Sequence, residues 1–322
     1  MTSGYLLRRL LQVLPAVAGI VVVTFVVVHL APGDPVVALA GESGDEAYLE
    51  LMRAKFGLDR PLPAQFVTYA GNLLRGDLGV SYLQGRPVVA VIGDRLPATL
   101  LLMATAVTLS TTAGVALGAL AARRPFGRMD LAVNATALVG SATPAFWLAQ
   151  LALLTLAFRA GLFPVQGMTD ARSAPGGLAR AADVAHHLAL PALVLAASQV
   201  ALVARLTRTG LVQQLGAQYV RTARAKGISA GRVLVGHALP NALLPVVTVI
   251  GSRMVGFLFS SAVLVEVVFA WPGLGQLLLS ATQTRDYPIL LGLVLLVALS
   301  VVVANLLTDL TYGWIDPRIR YD

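Results

Sequence analysis

Long apolar blocks, each closed by charges or by proline and glycine, decide what this chain can fold into. Residues 10–31 are apolar for about 22 positions, roughly 33 Å of helix, enough to cross a hydrocarbon core. Comparable blocks fall at 98–122, 131–158, 188–204, 242–270 and 289–310, about six in all. The expected fold class is therefore all-α, a polytopic membrane protein with about six transmembrane helices. Composition agrees: 57% of residues are hydrophobic and 12% charged, well under the roughly 25% charge of soluble domains. The first block follows Arg8 and Arg9 as a secretory leader would. It is longer than an h-region and no small-x-small cleavage site ends it, so it reads as an uncleaved span.

The net charge of +8 matters through its distribution. With the N-terminus inside, the inner segments collect Arg8, Arg9, Arg123, Arg124, Arg128, Arg205, Arg208, Arg221, Arg224, Lys226, Arg232, Arg318 and Arg320. The short outer loops hold only Arg159, Arg172, Arg180 and Arg285. Basic residues in short loops mark the inner side, so both termini are expected in the cytoplasm, and the basic charge implies topology, not nucleic-acid binding. The chain then divides into an N-terminus and first span (1–31), an acid-rich extracytoplasmic subdomain (32–97), a core of five spans (98–312) with a cytoplasmic loop at 205–241, and a cytoplasmic tail (313–322). Pro32-Gly33-Asp34-Pro35 and Arg60-Pro61-Leu62-Pro63 are expected to break the outer segment into short helices.

Several kinds of chemistry are missing from the sequence. Cysteine is absent, so there is no disulfide, thiolate nucleophile or sulfur-ligated metal. Lysine occurs only at Lys55, between Ala54 and Phe56, and at Lys226, before Gly227. Neither sits in the Gly-Lys-Ser/Thr setting of a phosphate-binding loop, so any ATP must be bound by another chain. The histidines, His29, His186, His187 and His237, have no metal-ligand spacing, and neighbours such as His186 and His187 point apart on a helix. No GxSxG elbow supports a membrane hydrolase.

Inside the spans, Arg253 lies near the middle of 242–270, where an arginine costs about 2.5–3.5 kcal/mol against lipid. It must face protein or water, either lining a translocation path or forming an ion pair, with Asp309 as one candidate partner. Glu266 is about 20 Å further along a straight helix and out of its reach. Near the outer face, Glu266 is expected to bond backbone amides of the turn at Pro272-Gly273.

The loop 205–241 is basic and lacks acidic residues. Its centre, Tyr219-Val220-Arg221-Thr222-Ala223-Arg224-Ala225-Lys226-Gly227, has helix-forming composition and ends on a glycine suited to a left-handed C-cap. Thr222, Ala223 and Ala225 make it slim enough for a groove on a partner, with arginines to meet acids there; a basic helix on anionic lipid is the alternative. This run, followed by His237-Ala238-Leu239-Pro240-Asn241-Ala242, resembles the permease loop of binding-protein-dependent ABC importers. That pattern is E-A-A, three residues, G, nine residues, then I-x-L-P. Ala223, Gly227, Leu239 and Pro240 match it, while Arg221, Thr222 and His237 stand for the glutamate, first alanine and isoleucine. Those departures resemble the peptide/nickel branch. Gly57-Leu58-Asp59-Arg60-Pro61, Gly76-Asp77-Leu78-Gly79, Thr143-Pro144-Ala145-Phe146-Trp147, Pro272-Gly273-Leu274-Gly275 and Arg285-Asp286-Tyr287-Pro288 are similar to dipeptide and oligopeptide permease B subunits.

The resemblance implies the type I ABC importer permease fold in a bacterial inner membrane, and half of a pore completed by a second homologous permease. It further implies two ATPase subunits or domains that carry the ATP and Mg, and an extracytoplasmic substrate-binding protein. No cofactor is expected on this chain. Tyr219 to Gly227, with His237, Leu239 and Pro240, would form the ATPase-coupling loop. Cargo would be dipeptides or oligopeptides, with nickel chelates, glutathione and haem as alternatives. An ion-coupled secondary transporter is the rival class, but inverted repeats and mid-membrane acids are not evident.

The orientation can be tested against a thiol-free background. A cysteine at Glu46 is expected to react with an impermeant reagent added outside intact cells; labelling only after lysis would invert the topology.

Overall fold

Helix is the only regular structure among the residues described by the computed structural model, namely 3–30, 34, 36–37, 45–170, 176–250 and 255–315. The chain resolves into two compact units, residues 1–99 with 272–322, and residues 100–271.

In the first unit, α1 (Ser3–Leu30) packs against the last helix, Tyr287–Ile315. Between residues 45 and 87 the helices are short, with the expected break at Arg60-Pro61-Leu62-Pro63 present; the break expected at Pro32-Gly33-Asp34-Pro35 lies, apart from Asp34, outside the described residues. Helix α2 (Glu46–Phe56) stops at Gly57, which takes φ 69°, and α3 (Leu62–Leu74) starts at Pro61 with Pro63 in its first turn. Arg53 of α2 donates to Asp34 at 2.7 Å. Burial pushes the Asp34 carboxyl up, but the Arg53 guanidinium and the Val36 amide outweigh it and hold it below the ordinary carboxylate value.

Helix α4 (Val88–Ala122) begins ten residues before the expected boundary and runs through Pro97. Val88, Val91 and Ile92 are all buried in that early stretch. At about 1.5–3 kcal/mol each, their burial outweighs the roughly 3 kcal/mol cost of one proline inside a helix.

The next apolar block, 131–158, is bent. Helix α5 (Arg128–Ala142) and α6 (Ala145–Ala152, continued by a π-helical turn, Leu153–Arg159) meet at 97°. Thr143 is extended (φ −87°, ψ 122°) because it precedes Pro144, and Pro144 has no N–H with which to continue the helix. Helix α7 (Gly177–Leu215) is far longer than its apolar block. Beyond it lie α8 (Gln218–Ala225), α9 (Ala230–Val233), a π-helical turn (Leu234–Ala238), α10 (Leu239–Ala242), α11 (Leu244–Val249) and α12 (Val255–Val268). The last described elements are α13 (Leu274–Thr284) and α14 (Tyr287–Ile315). Among the described residues, α4, α7 and residues Tyr287–Leu306 are each long and apolar enough to cross a membrane, and the bent α5–α6 pair makes a fourth crossing if it is one span. The apolar part of α1 described there, Leu14–Leu30, is shorter, and the block 242–270 includes residues outside the described set.

Small residues bring the helices of the second unit to backbone contact. A Cβ on Gly114 of α4 would lie 2.6 Å from Val203 Cβ, and one on Gly118 would lie 2.5 Å from the Ala204 carbonyl oxygen. The Gly-x-x-x-Gly spacing puts both on one face, so α4 lies directly on α7. Gly118→Ala is accordingly expected to destabilise by about 1–3 kcal/mol, read as a lower thermal midpoint in detergent. Gly93→Ala on the same helix, where a Cβ would have nothing within 4 Å, should be neutral or stabilising by up to ~1 kcal/mol. Equal effects at the two sites would refute tight α4–α7 packing.

Candidate functional site

The basic loop folds as an anchored helix. Ala217 is extended and starts α8, and the eight residues of α8 split cleanly by exposure. Val220 and Ala223, three apart and hence on one face, are buried in a cluster with Ala122, Leu211, Val233, Ala238 and Ala242. Arg221, Thr222, Arg224, Ala225 and Lys226 are exposed. Ala223 therefore packs inside this chain, and the outward face is carried by the cations, Thr222 and Ala225. Gly227 closes the helix at φ 79°, with its N–H on the Arg224 carbonyl at 2.9 Å and Ile228 N–H on Ala223 at 3.3 Å. This is the left-handed cap its sequence position implies.

The second half of the motif holds α8 in place. Tyr219 Oη donates to Gln214 Oε1 at 2.7 Å, and Asn241 Nδ2 donates to the His237 carbonyl at 2.9 Å and lies 3.4 Å from Tyr219 Oη. Leu239 packs against the buried cluster, whereas the side chains of His237 and Pro240 face outward. A Cβ on Gly210 would lie 2.7 Å from the Ala242 carbonyl oxygen, so α7 and α10 also touch through backbone.

Beside this surface lies an ion pair that sequence reading did not anticipate. Arg208 Nε and Nη2 donate to Asp130 Oδ1 and Oδ2, each at 2.6 Å, and Asp130 is only 2% exposed. The same carboxylate accepts from Phe126 N at 2.8 Å and Asn134 Nδ2 at 2.7 Å. Phe126 takes φ 63°, and the Arg208 guanidinium lies 5.7 Å from its ring centroid.

Residues of α5, α6, α7, α11 and α12 line a half-open cavity of about 860 Å3. Its wall includes the Thr143-Pro144-Ala145-Phe146 bend, with Asn134, Gln199, Arg205 and Ser261 as polar members. Gln199 is 6% exposed. Arg253, the expected lining cation, lies outside the described residues. Glu266, in the last turn of α12, is fully buried, and its carbonyl accepts from Trp271 N at 2.8 Å as the backbone reverses at Ala270 (φ 48°).

In the first unit, two motifs distant in sequence meet. Asp286, 3% exposed, accepts from Ser81 Oγ at 2.5 Å and from Tyr82 N and Leu83 N at 3.2 and 3.3 Å. A Cβ on Gly79 would come to 3.9 Å from Pro288, and Gly79 itself has φ 82°. Next to this knot is a pocket of about 290 Å3 lined by aromatic rings, among them Phe25, Phe56, Tyr69, Tyr82 and Tyr287. Burial first, then the nearby Asp286 charge, raises the Tyr82 phenol well above its ordinary value. Pro272 and Gly273 lead into α13, where Leu274 N donates to Thr99 Oγ1 at 2.8 Å.

The histidine pair makes separate contacts. His186 Nε2 lies 3.0 Å from the Leu162 carbonyl and His187 Nδ1 lies 2.9 Å from the Asp183 carbonyl, and no group of three potential ligands occurs among the described residues.

Two family profiles cover nearly the whole chain. One, described as binding-protein-dependent transport system inner membrane component, matches residues 114–321; its N-terminal companion matches residues 2–103. The oligopeptide transport system permease protein AppB of Bacillus subtilis is 38% identical over 320 residues, covering 99% of this chain and 100% of that protein. The dipeptide transport system permease protein DppB of Escherichia coli K12 is 40% identical over 336 residues, covering 98% of both. The glutathione transport system permease protein GsiC of Pectobacterium atrosepticum is 39% identical over 318 residues, covering 99% of both.

The anchoring of α8 gives a contrast to test. Ala223→Leu should overpack the buried cluster and lower stability by about 1–3 kcal/mol, while Ala225→Leu, on the exposed face, should change it by no more than about 0.5 kcal/mol. Thermal unfolding of the two variants checks this, and a neutral Ala223→Leu would contradict the inward placement.

Proposed function

The chain belongs to the binding-protein-dependent transport system inner membrane component family, and from that premise we propose that it is one of two homologous permeases forming the pore of an ATP-driven peptide importer. It is a multi-pass inner-membrane transport component. In this reading both termini are cytoplasmic, the ATP and Mg sit on two ATPase subunits or domains, and an extracytoplasmic binding protein delivers cargo. The chain itself performs no catalysis and binds no cofactor.

The observation that carries the reading is α8, a short helix pinned from below by Val220 and Ala223 with Arg221, Arg224 and Lys226 outward. Such a helix suits an acidic groove on an ATPase, since its cations need no rearrangement to reach a partner. ATP binding would close the ATPase pair and move α8. The movement would pass into α4, α7 and α10 through the cluster they share with it.

The cavity of about 860 Å3 suits cargo of dipeptide to oligopeptide type. Gln199 and Ser261 offer donors and acceptors for peptide amides without fixed charge, and Asn134, whose Nδ2 donates to Asp130, offers its amide oxygen as an acceptor, which allows contact without deep trapping. Arg205 on the wall, and Arg253 if it faces the same space, would attract a carboxylate. The likeness to a glutathione permease favours a second cargo of the same kind, a small tripeptide. Glu266 with Pro272 and Gly273 would serve the outer turn structurally.

Gly227 tests the coupling role. A Cβ there would meet nothing within 4 Å, so only its φ of 79° opposes substitution. Gly227→Val should strain the cap by about 1–3 kcal/mol and lower import per ATP hydrolysed in reconstituted vesicles, whereas Gly227→Asn, tolerant of that conformation, should behave nearly as wild type. An unchanged ratio in assembled Gly227→Val would remove α8 from the coupling path.

A further inference from the structure

Leu211 of α7 shares one buried cluster with Val220 and Ala223 of α8. Three residues earlier on α7, Arg208 grips Asp130 of α5 with two 2.6 Å bonds. That carboxylate also holds Asn134 Nδ2 at 2.7 Å, and Asn134 lines the cavity of about 860 Å3. The path from the basic helix to the cavity wall is thus continuous: buried packing to Leu211, one turn of α7 to Arg208, and charge-assisted hydrogen bonds through Asp130 to Asn134.

We propose that Asp130 and Arg208 are positioning residues for transport, tying the cavity wall at Asn134 to the part of α7 on which the coupling helix bears. The inference rests on the coupling role given to α8 above. A guanidinium fork on a carboxylate fixes both separation and orientation, which one ammonium contact does not. At 2% exposure, Asp130 has almost no access to water that would compete for its oxygens. The carboxylate also receives the Phe126 N–H at 2.8 Å, so the inner turn between α4 and α5 is held by the same group. A displacement of α7 therefore carries with it both this turn and the Asn134 side chain.

The test uses the assembled transporter, with its partner permease, ATPases and binding protein, in lipid vesicles. Complex yield and import per ATP hydrolysed are measured with whichever member of a dipeptide panel the wild type imports fastest. Arg208→Lys keeps the charge but loses the fork. It should assemble and reduce import per ATP by roughly 2- to 30-fold, the range seen for residues that carry coupling between sites. Asn134→Ala should reduce it as well, and the double variant should fall short of the product of the two because both act through one carboxylate. An unchanged ratio in assembled Arg208→Lys, parallel loss of import and hydrolysis, or failure of both single variants to assemble would each overturn the proposal. Gly227→Val in the same assay separates the two readings. If it uncouples while Arg208→Lys does not, only the positioning role fails; if it leaves the ratio unchanged, the coupling role of α8 fails first.

Discussion

The 100–271 unit depends on how closely other helices can approach α7. That approach is a matter of missing atoms: Gly118 leaves room for the Ala204 carbonyl, Gly114 for Val203, and Gly210 for Ala242. In lipid the hydrophobic effect gives helices little reason to associate, so close van der Waals packing of small surfaces must supply it. Helices α5, α6, α10, α11 and α12 all contact α7 as well. One helix thus serves as the common wall for the cavity, the buried cluster under α8 and the Arg208 ion pair.

Where the backbone leaves the helix, buried carboxylates take over its hydrogen bonding. Asp286 receives two loop N–H groups and a serine hydroxyl, and Asp130 receives Phe126 N–H together with a guanidinium and an amide. An ionised carboxylate only accepts, with room for about four donors, so it suits a turn that presents several N–H groups at once. Asp286 would be costly if buried alone, and so would Asp130. Surrounded by donors, each fixes a turn that glycine and proline by themselves would leave loosely defined.

Much of this was legible in the sequence, for physical reasons that also mark its limits. Apolar runs, the Gly57 and Pro61 breaks and the Gly227 cap are local signals, encoded within a few residues; the structure follows the breaks and the cap, and carries the runs at 98–122, 188–204 and 289–310 as single long helices. The start of α4 at Val88 was hidden because proline usually marks a boundary, and only the burial of Val88, Val91 and Ile92 reverses that expectation at Pro97. The 97° bend at Pro144 was concealed by uniform hydropathy on both sides. Asp130 and Arg208 lie 78 positions apart, and Ser81 and Asp286 lie 205 apart, so no periodicity connects them. Arg208 was visible as a topology marker; that it has a buried partner is a tertiary fact. The slim character of Ala223 was legible, but the direction it faces was not, because a short residue fits equally well against a partner or inside its own core.

The dimensions of α8 bear on how force can pass through it. Eight residues are too few to hold a helix in water on propensity alone, since nucleation is costly and isolated helices below about 12–15 residues are marginal. Its helicity must therefore come from the buried cluster, with the Tyr219 hydroxyl bonded to Gln214 as a side tether. A load on the outward cations has two outcomes: it moves the cluster, or it melts the helix away from it. Melting would expose Val220 and Ala223 and abandon the Gly227 cap, while moving the cluster carries residues of α4, α7 and α10 without exposing apolar surface. The second course retains the burial, so in the proposed coupling role α8 would act as a rigid lever whose fulcrum is its own hydrophobic anchor.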